Sequence, residues 1–427
     1  MNKNKLFLSL ALATAIGFSV PAQANTMLGA YIKHDGWSLT DIDKFNADTT
    51  KSMAVTTLFS TFNMHWDSLN IQASNIVSRG STPMITFMPY SDRHPDMLAA
   101  IASGAEDTYI NSWIQSFKLW RDSYPVDQRP SIMLRFGHEF NGNWYPWGNN
   151  PEGLKAAWRH MHAMFEAAGV NDNVEWVWCA SATDVDDYND MTLYYPGDDV
   201  VDWTSLDGYN WGSNYAWTSW RSFDEVFSSA YVTLVNNFPD KPVILAEVGS
   251  AEEGDIPDAS WGQYGDDSDA GQSKSAWIDD MMQRIMTDYP AIRAISWFNT
   301  NKELSWALNE TARSGMPNTG LGAYNQQAMN DHFVNTFIPS TPVVEPPVED
   351  EPVSDDGGKG KGKGNNGKGN NGNANGDKET GLQRALAVSR MPAVVGEKLR
   401  QREAEGFRNM PAHVLEKIRK NRLNIGN

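Results

Sequence analysis

The chain has 427 residues, of which 53 are acidic and 35 are basic, so its formal net charge is −18. A charge this negative argues against nucleic acid as a partner, because phosphate binding depends on neutralisation by lysine and arginine. The single cysteine, Cys179, cannot form a disulfide within the chain, so an apolar core has to provide the stability.

The first 24 residues have the pattern of a secretory signal. A basic start is followed by an apolar run over residues 6–20 and by Ala-Gln-Ala at residues 22–24. A membrane anchor needs about 20 apolar residues, and this run is shorter and ends at Pro21. We therefore expect an exported protein, secreted to the extracellular space or the periplasm, whose mature chain begins near Asn25. No later stretch predicts a membrane span.

Residues 25–339 contain eight short apolar runs. Most are continuous rather than alternating, which is typical of strands that a parallel α/β architecture covers on both faces. The runs are residues 27–32, 53–60, 83–88, 132–136, 174–179, 201–206, 242–246 and 292–298. Eight strands alternating with helices favour a closed (β/α)8 TIM barrel over a doubly wound sheet.

Several gaps between these runs show the periodicity of amphipathic helices. The pattern predicts helices over residues 109–117, 154–168, 222–238, 273–289 and 326–337. Polar and aromatic residues cluster directly after runs four, six, seven and eight. In a barrel, these positions lie at the carboxyl-terminal mouth, where active sites are built.

Beyond the predicted barrel the composition changes. Residues 340–381 form an acidic, then Gly/Asn/Lys-rich linker that cannot bury a core. Residues 382–427 form a basic tail, in which the ten residues from Met391 return from Met410 with seven identities. Each copy could open a short helix at its proline. Two interpretations stay open: a docking or self-association element with a partner, or a basic, partly helical tail without one.

Two glutamates directly follow apolar runs. Glu139 lies in the segment Arg-Phe-Gly-His-Glu-Phe-Asn-Gly-Asn-Trp of residues 135–144, and Glu247 follows the run Val-Ile-Leu-Ala of residues 243–246. Burial of an unpaired carboxylate is expensive, so both positions indicate a functional role. Cleavage of a glycosidic bond with retention needs two carboxylates about 5–5.5 Å apart. Glutamates at the ends of strands four and seven can meet that geometry across the mouth.

These segments, together with Asp-Gly-Tyr-Asn-Trp at residues 207–211, resemble glycoside hydrolase family 26. Its members include endo-β-mannanases, mixed-linkage β-glucanases and β-1,3-xylanases. The resemblance covers residues 25–339 and implies Glu139 as the acid/base and Glu247 as the nucleophile. Other residues match supporting or substrate-binding positions, namely Arg135, His138, Asn141, Trp144, Asp207, Tyr209, Trp211 and Trp297.

Within that set the resemblance implies specific roles. Tyr209 matches the tyrosine that donates a hydrogen bond to the nucleophile, and Trp144 matches a tryptophan that lines the cleft. Trp297 matches the aromatic floor of the sugar site. The physics of the residues agrees, since Arg135 and Tyr209 could keep Glu247 ionised. Aromatic rings also suit the C–H faces of sugars.

Metal sites are less well supported. A His-Glu-x-x-His zinc helix is excluded because position 142 is glycine. The acidic loops at residues 184–190 and 266–269 could hold calcium, but without an EF-hand pattern solvated loop charge is the better interpretation. We predict no metal and no cofactor.

The sequence thus predicts a secreted, retaining endo-β-glycanase with a polysaccharide substrate, first of all β-1,4-mannan. Four alternatives stay open: a mixed-linkage β-glucanase, a β-1,3-xylanase of the same family, a catalytically silent glycan-binding protein on the same barrel, and a glycan-processing component of an envelope assembly tethered through the tail.

Overall fold

The computed structural model describes residues 25–183, 189–265, 271–315 and 318–340. The predicted signal, almost the whole linker and the repeat-containing tail lie outside these residues, and so do the acidic stretches 184–188 and 266–270. Among the described helices, none has the length and apolar character needed to cross a membrane.

Eight parallel strands form a closed barrel. Each strand pairs with the next along the chain, and β1 pairs with both β2 and β8. The strands are β1 (Thr26–Ile32), β2 (Val55–Thr61), β3 (Thr82–Met88), β4 (Ile132–Phe136), β5 (Val174–Ser181), β6 (Trp203–Asn210), β7 (Val243–Ser250) and β8 (Ile292–Asn299). The predicted (β/α)8 barrel is confirmed.

Helices cover the outside of the barrel. They are α1 (Leu39–Asp48), α2 (Trp66–Val77), α3 (Met97–Ala102), α4 (Asp107–Asp122), α5 (Pro151–Ala167), α6 (Phe223–Asn237), α7 (Lys274–Thr287) and α8 (Gly320–Ala328). Two of them follow β3, and the described residues between β5 and β6 contain only short 3-10 helices. Polar side chains cap several amino termini, because the first N–H groups of a helix lack partners within it. At α6, Ser222 and Glu225 form a reciprocal capping box.

The helix predicted over residues 326–337 is wrong. Helix α8 ends at Ala328, and Phe333 and Val334 form a short strand, β9, that pairs with the start of β1. The apolar residues of this segment follow a helical spacing, but pairing with the start of β1 decides their conformation.

Two of the hydrophobic clusters in the described residues differ in their place relative to the sheet. One lies between the strands and the helices, and the other fills the lower barrel interior. The interior layer consists of Met27, Ala54, Val55, Met84, Met133, Val177, Cys179, Trp203, Ile244, Ala246 and Ala294. The buried, unpaired Cys179 confirms its interpretation as a small core residue. Side chains above this layer point into the mouth.

Candidate active site

Glu139 lies on the turn that leaves β4. Gly137 (φ 58°) and Glu139 (φ 51°) both adopt the left-handed conformation, which is strained for a glutamate. The Glu139 amide donates to the carbonyl of Cys179 on β5 at 2.9 Å, and the Trp144 indole donates to Glu139 Oε2 at 2.6 Å. The turn therefore holds a half-buried carboxylate at the mouth.

Asn141 secures the same turn. Its side-chain nitrogen Nδ2 donates to the backbone carbonyl of Ser181 at 2.9 Å, and its side-chain oxygen Oδ1 accepts from the backbone N–H of Ser181 at 2.8 Å. Asn141 is fully buried. Its two hydrogen bonds take the place of backbone pairing between this loop and the end of β5.

Glu247 reaches the barrel interior through a bulge in β7. Leu206 pairs with Leu245, but Asp207 pairs with Glu247, so Ala246 is the extra residue. Strand side chains normally alternate between faces. The bulge lets Glu247 face the mouth although its neighbour Ala246 lies in the interior core.

Two donors hold the Glu247 carboxylate. Nη2 of Arg135 donates to Oε1 at 2.5 Å, and the hydroxyl of Tyr209 donates to Oε2 at 2.6 Å. These two hydrogen bonds fix both oxygens of the carboxylate and so set its orientation. Burial and the neighbouring charge of Glu247 raise the pKa of Tyr209, so its hydroxyl keeps the proton that it donates.

Arg135 is the central cation of the site. It is fully buried on β4, and its Nη1 lies 2.7 Å from Oδ2 of Asp207 while its Nε donates to Thr86 at 2.9 Å. Burial alone disfavours a charged guanidinium, but Asp207 and Glu247 outweigh burial and raise the pKa of Arg135. Complete burial raises the pKa of Asp207, and the contact with Arg135 opposes that rise.

His138 is neutral. Burial, followed by the nearby charge of Arg135, lowers its pKa well below the usual value. Its Nε2 lies 3.1 Å from the hydroxyl of Tyr145, and its carbonyl accepts from the indole of Trp147 at 2.7 Å. The imidazole therefore adds polar contacts beside Glu139 without adding a second positive charge.

The two glutamates share one electrostatic environment. The charge of Glu139 contributes to the raised pKa of Tyr209, the residue that donates to Glu247. One carboxylate is buried and fixed by a cation and a phenol, whereas the other is more exposed and receives an indole N–H. This asymmetry suits one carboxylate that attacks and one that exchanges protons.

His138, Asp207 and Glu247 also place one potential ligand atom each within 4.8 Å of one another. Both carboxylates, however, already bind the guanidinium of Arg135, at 2.7 and 2.5 Å. A second cation at this place would face a buried positive charge. The geometry therefore assigns these carboxylates to the arginine.

The predicted aromatic residues differ in their placement. Trp144 is 3% exposed and contacts Glu139 through its nitrogen, and Trp211 is half-buried beside Tyr209. Trp297 has no exposed surface and belongs to the outer core, 6.3 Å from the Trp277 ring of α7. Its predicted role as the floor of the sugar site does not agree with this position, because its side chain points away from the barrel interior.

The sequence did not predict four aromatic residues that line the mouth near β1, β2 and β8. Phe298 stacks on Tyr31 at 4.9 Å, and Phe59 lies 6.2 Å from His138. Trp306, in the loop after β8, packs 5.0 Å from Tyr209. A signal for Phe298 exists, since the small Ala294 and Ser296 precede it at alternate positions, as an interior face requires.

Comparison with known proteins shows what the central part of the chain resembles. The profile described as Glycosyl hydrolase family 26 matches residues 59–261. Residues 59–261 are thus similar to glycosyl hydrolase family 26. The matched region includes all site residues from Arg135 to Glu247 but neither β1 nor β8. Tyr31, Phe298 and Trp306 therefore lie outside the matched region.

Similar proteins extend the comparison. Endoglucanase H of Acetivibrio thermocellus is 35% identical over 262 residues, covering 60% of this chain and 25% of that protein. A mannan endo-1,4-beta-mannosidase of Thermothelomyces thermophilus is 31% identical over 133 residues, covering 30% and 23%. The chain thus spans about a quarter of the length of these two curated relatives.

A solved structure shows the same fold. It is the catalytic domain of a GH26 endo-beta-1,4-mannanase from Bacillus sp. JAMB-750, with a TM-score of 0.52 at 17% identity, covering 73% of this chain and 87% of that one.

Proposed function

We propose that this protein hydrolyses a β-linked polysaccharide by double displacement, with retention of configuration. The observation that carries the proposal is the arrangement around Glu247, whose two carboxylate oxygens accept from Arg135 at 2.5 Å and from Tyr209 at 2.6 Å. A buried carboxylate that is fixed on both oxygens is held in one orientation, as a nucleophile has to be. A protein that only binds glycans has no use for it.

In the first step Glu247 attacks the anomeric carbon, and the bond to the leaving oxygen breaks as Glu139 gives that oxygen its proton. The product is a glycosyl ester of Glu247. In the second step Glu139 takes a proton from water, the water oxygen attacks the anomeric carbon, and the Glu247 carboxylate departs. Each step regenerates the protonation state that the other requires.

For the substrate we propose β-1,4-mannan. The name of the Thermothelomyces thermophilus relative, a mannan endo-1,4-beta-mannosidase, supports this substrate and internal cleavage. A second candidate is a β-glucan, which the name of endoglucanase H favours over a longer alignment of 262 residues. The mouth suits either polymer, because part-exposed aromatic rings such as Trp211 and Tyr31 can stack on the C–H faces of sugars.

The test is release of reducing ends from mannan, galactomannan, lichenan, cellulose and β-1,3-xylan, with viscosity measured in parallel. The proposal expects the highest kcat/KM on a mannan and a rapid fall in viscosity, which indicates internal cleavage. If activity is highest on lichenan or on β-1,3-xylan, that polymer replaces mannan as the substrate. Binding without release of reducing ends would refute the proposal in favour of a glycan-binding protein.

We also propose that the protein is exported, on the basis of residues 1–24. Amino-terminal sequencing of the protein made by its host should find a chain that begins near Asn25. An intact amino terminus on a protein found in the cytoplasm would refute this.

A further inference from the structure

One buried lysine has no part in the chemistry proposed above. Lys274, the first residue of α7, has no exposed surface. Burial of an ammonium group is expensive unless partners replace its water. Burial indeed lowers the pKa of Lys274 to about 8, although Glu252 and Asp255 oppose the change. Such a group needs a structural or functional reason.

Its partners belong to the loops that follow β7 and β8. The ammonium donates to the carbonyl of Ser305 and, at 3.2 Å, to that of Ala307, and it lies 3.4 Å from Glu252. Glu252 also accepts from the amide and the hydroxyl of Thr319, both at 2.9 Å. A single charge therefore joins the loop after β7, the loop after β8 and the start of α8.

The two carbonyls bound by Lys274 flank Trp306. The carbonyl of Trp306 itself accepts from the Trp297 indole at 2.9 Å, and its indole donates to Glu303 at 3.0 Å. The backbone on both sides of Trp306 and its side-chain nitrogen are therefore fixed. This arrangement also gives the outward-facing Trp297 a defined role.

Trp306 in turn packs against the catalytic machinery. Its ring lies 5.0 Å from the ring of Tyr209. It also packs over Gly249 on β7, where an added Cβ atom would lie 3.4 Å from the indole. Tyr209 donates to Glu247 at 2.6 Å. A shift of the indole would leave Tyr209 free to move away from the carboxylate.

We propose that Lys274 is a positioning residue that acts through Trp306 to hold Tyr209 on the nucleophile. The inference rests on the proposed function. It assigns a role in turnover to a residue that faces α8 and the loops rather than the sugar.

The test compares Lys274→Met with Lys241→Met. Lys241 also donates to two carbonyls, of Asp198 at 2.8 Å and Val201 at 2.6 Å, but these precede β6 at the opposite end of the barrel. Lys274→Met should lower kcat about tenfold or more, since misplacement of a catalytic group by about 1 Å can cost a hundredfold. KM should not rise. Lys241→Met should leave both constants unchanged.

Lys274→Met leaves Glu252 buried without its cation, and this uncompensated charge destabilises the folded state. The double variant Lys274→Met/Glu252→Gln removes that charge as well, and it should show the same fall in kcat. Wild-type kcat in a folded variant, or a raised KM with unchanged kcat, would overturn the inference.

A crystal structure of the folded variant separates this inference from the proposed function. The ring of Trp306 should lie farther than 5.0 Å from that of Tyr209. A wild-type protein that cleaves no β-glycan refutes the proposed function, whereas an unmoved Trp306 in the variant refutes the positioning role.

Discussion

Replacement of Tyr209 by phenylalanine tests how the nucleophile is held. The change removes one hydroxyl, which donates to Glu247 at 2.6 Å, and keeps the ring that packs against Trp306 and Phe298. In the second step of the proposed reaction Glu247 is the leaving group, and the hydrogen bond stabilises the charge that returns to it. Tyr209→Phe should therefore slow the hydrolysis of the glycosyl-enzyme most.

The size of the effect follows from the bond. A hydrogen bond to a charged group contributes about 1.5–3 kcal/mol, and each 1.36 kcal/mol changes a rate tenfold, so kcat should fall about 10- to 150-fold. Because the intermediate accumulates, KM should fall as well.

The assay is stopped-flow release of an aryl leaving group, in which the variant should show a burst of one equivalent followed by slow turnover. Tyr231→Phe is the matched control, since the Tyr231 hydroxyl accepts from the Ala291 amide far from the mouth. A Tyr209→Phe enzyme with kcat within about twofold of wild type would refute the reasoning. A lower kcat with a raised KM and no burst would limit Tyr209 to substrate binding.

Three further predictions concern other parts of the chain. Glu139→Ala should lose about 10²- to 10⁴-fold on polysaccharide but keep glycosylation by an activated aryl glycoside, with rescue by azide; equal loss on both substrates without rescue would contradict the acid/base role. A shortened chain of residues 25–339 should retain activity on soluble glycan, and a folded but inactive product would contradict that. Burial raises the pKa of Asp35 to about 7, so the folded state binds a proton that the unfolded state has lost, and stability should fall as pH rises from about 4 to 7. Asp35→Asn should remove this decline and be more stable than wild type at pH 8. Urea unfolding of both proteins at pH 4 and at pH 8 checks this, and an equal loss of stability between the two pH values in wild type and variant would contradict the assignment.

The sequence predicted the strands well at their first residues and less well at their last. The run at residues 201–206 stops where polar residues begin, but β6 continues to Asn210, and the run at 242–246 stops before the last four residues of β7. Backbone pairing continues into the mouth regardless of side-chain polarity. The site residues Asp207 and Glu247 therefore lie inside strands rather than after them.

Two features of the site depend on geometry that no local pattern reveals. The bulge at Ala246 is visible as a change of register between β6 and β7, and it decides that Glu247 faces the interior. In β8, Trp297 and Phe298 are both apolar because both faces of the strand are covered. The apolar pattern therefore does not show which of the two faces the mouth, and only the family resemblance favoured Trp297. The hydrogen bonds from Lys274 to the carbonyls of Ser305 and Ala307 join residues 31 and 33 positions apart through tertiary packing.

The configuration of the first-formed product tests the central claim most directly. Glu247 as a nucleophile requires two inversions at the anomeric carbon, so proton NMR during hydrolysis of a β-glycan should show the β-anomer before mutarotation. A first-formed α-anomer would contradict the double displacement and the role of Glu247 in it.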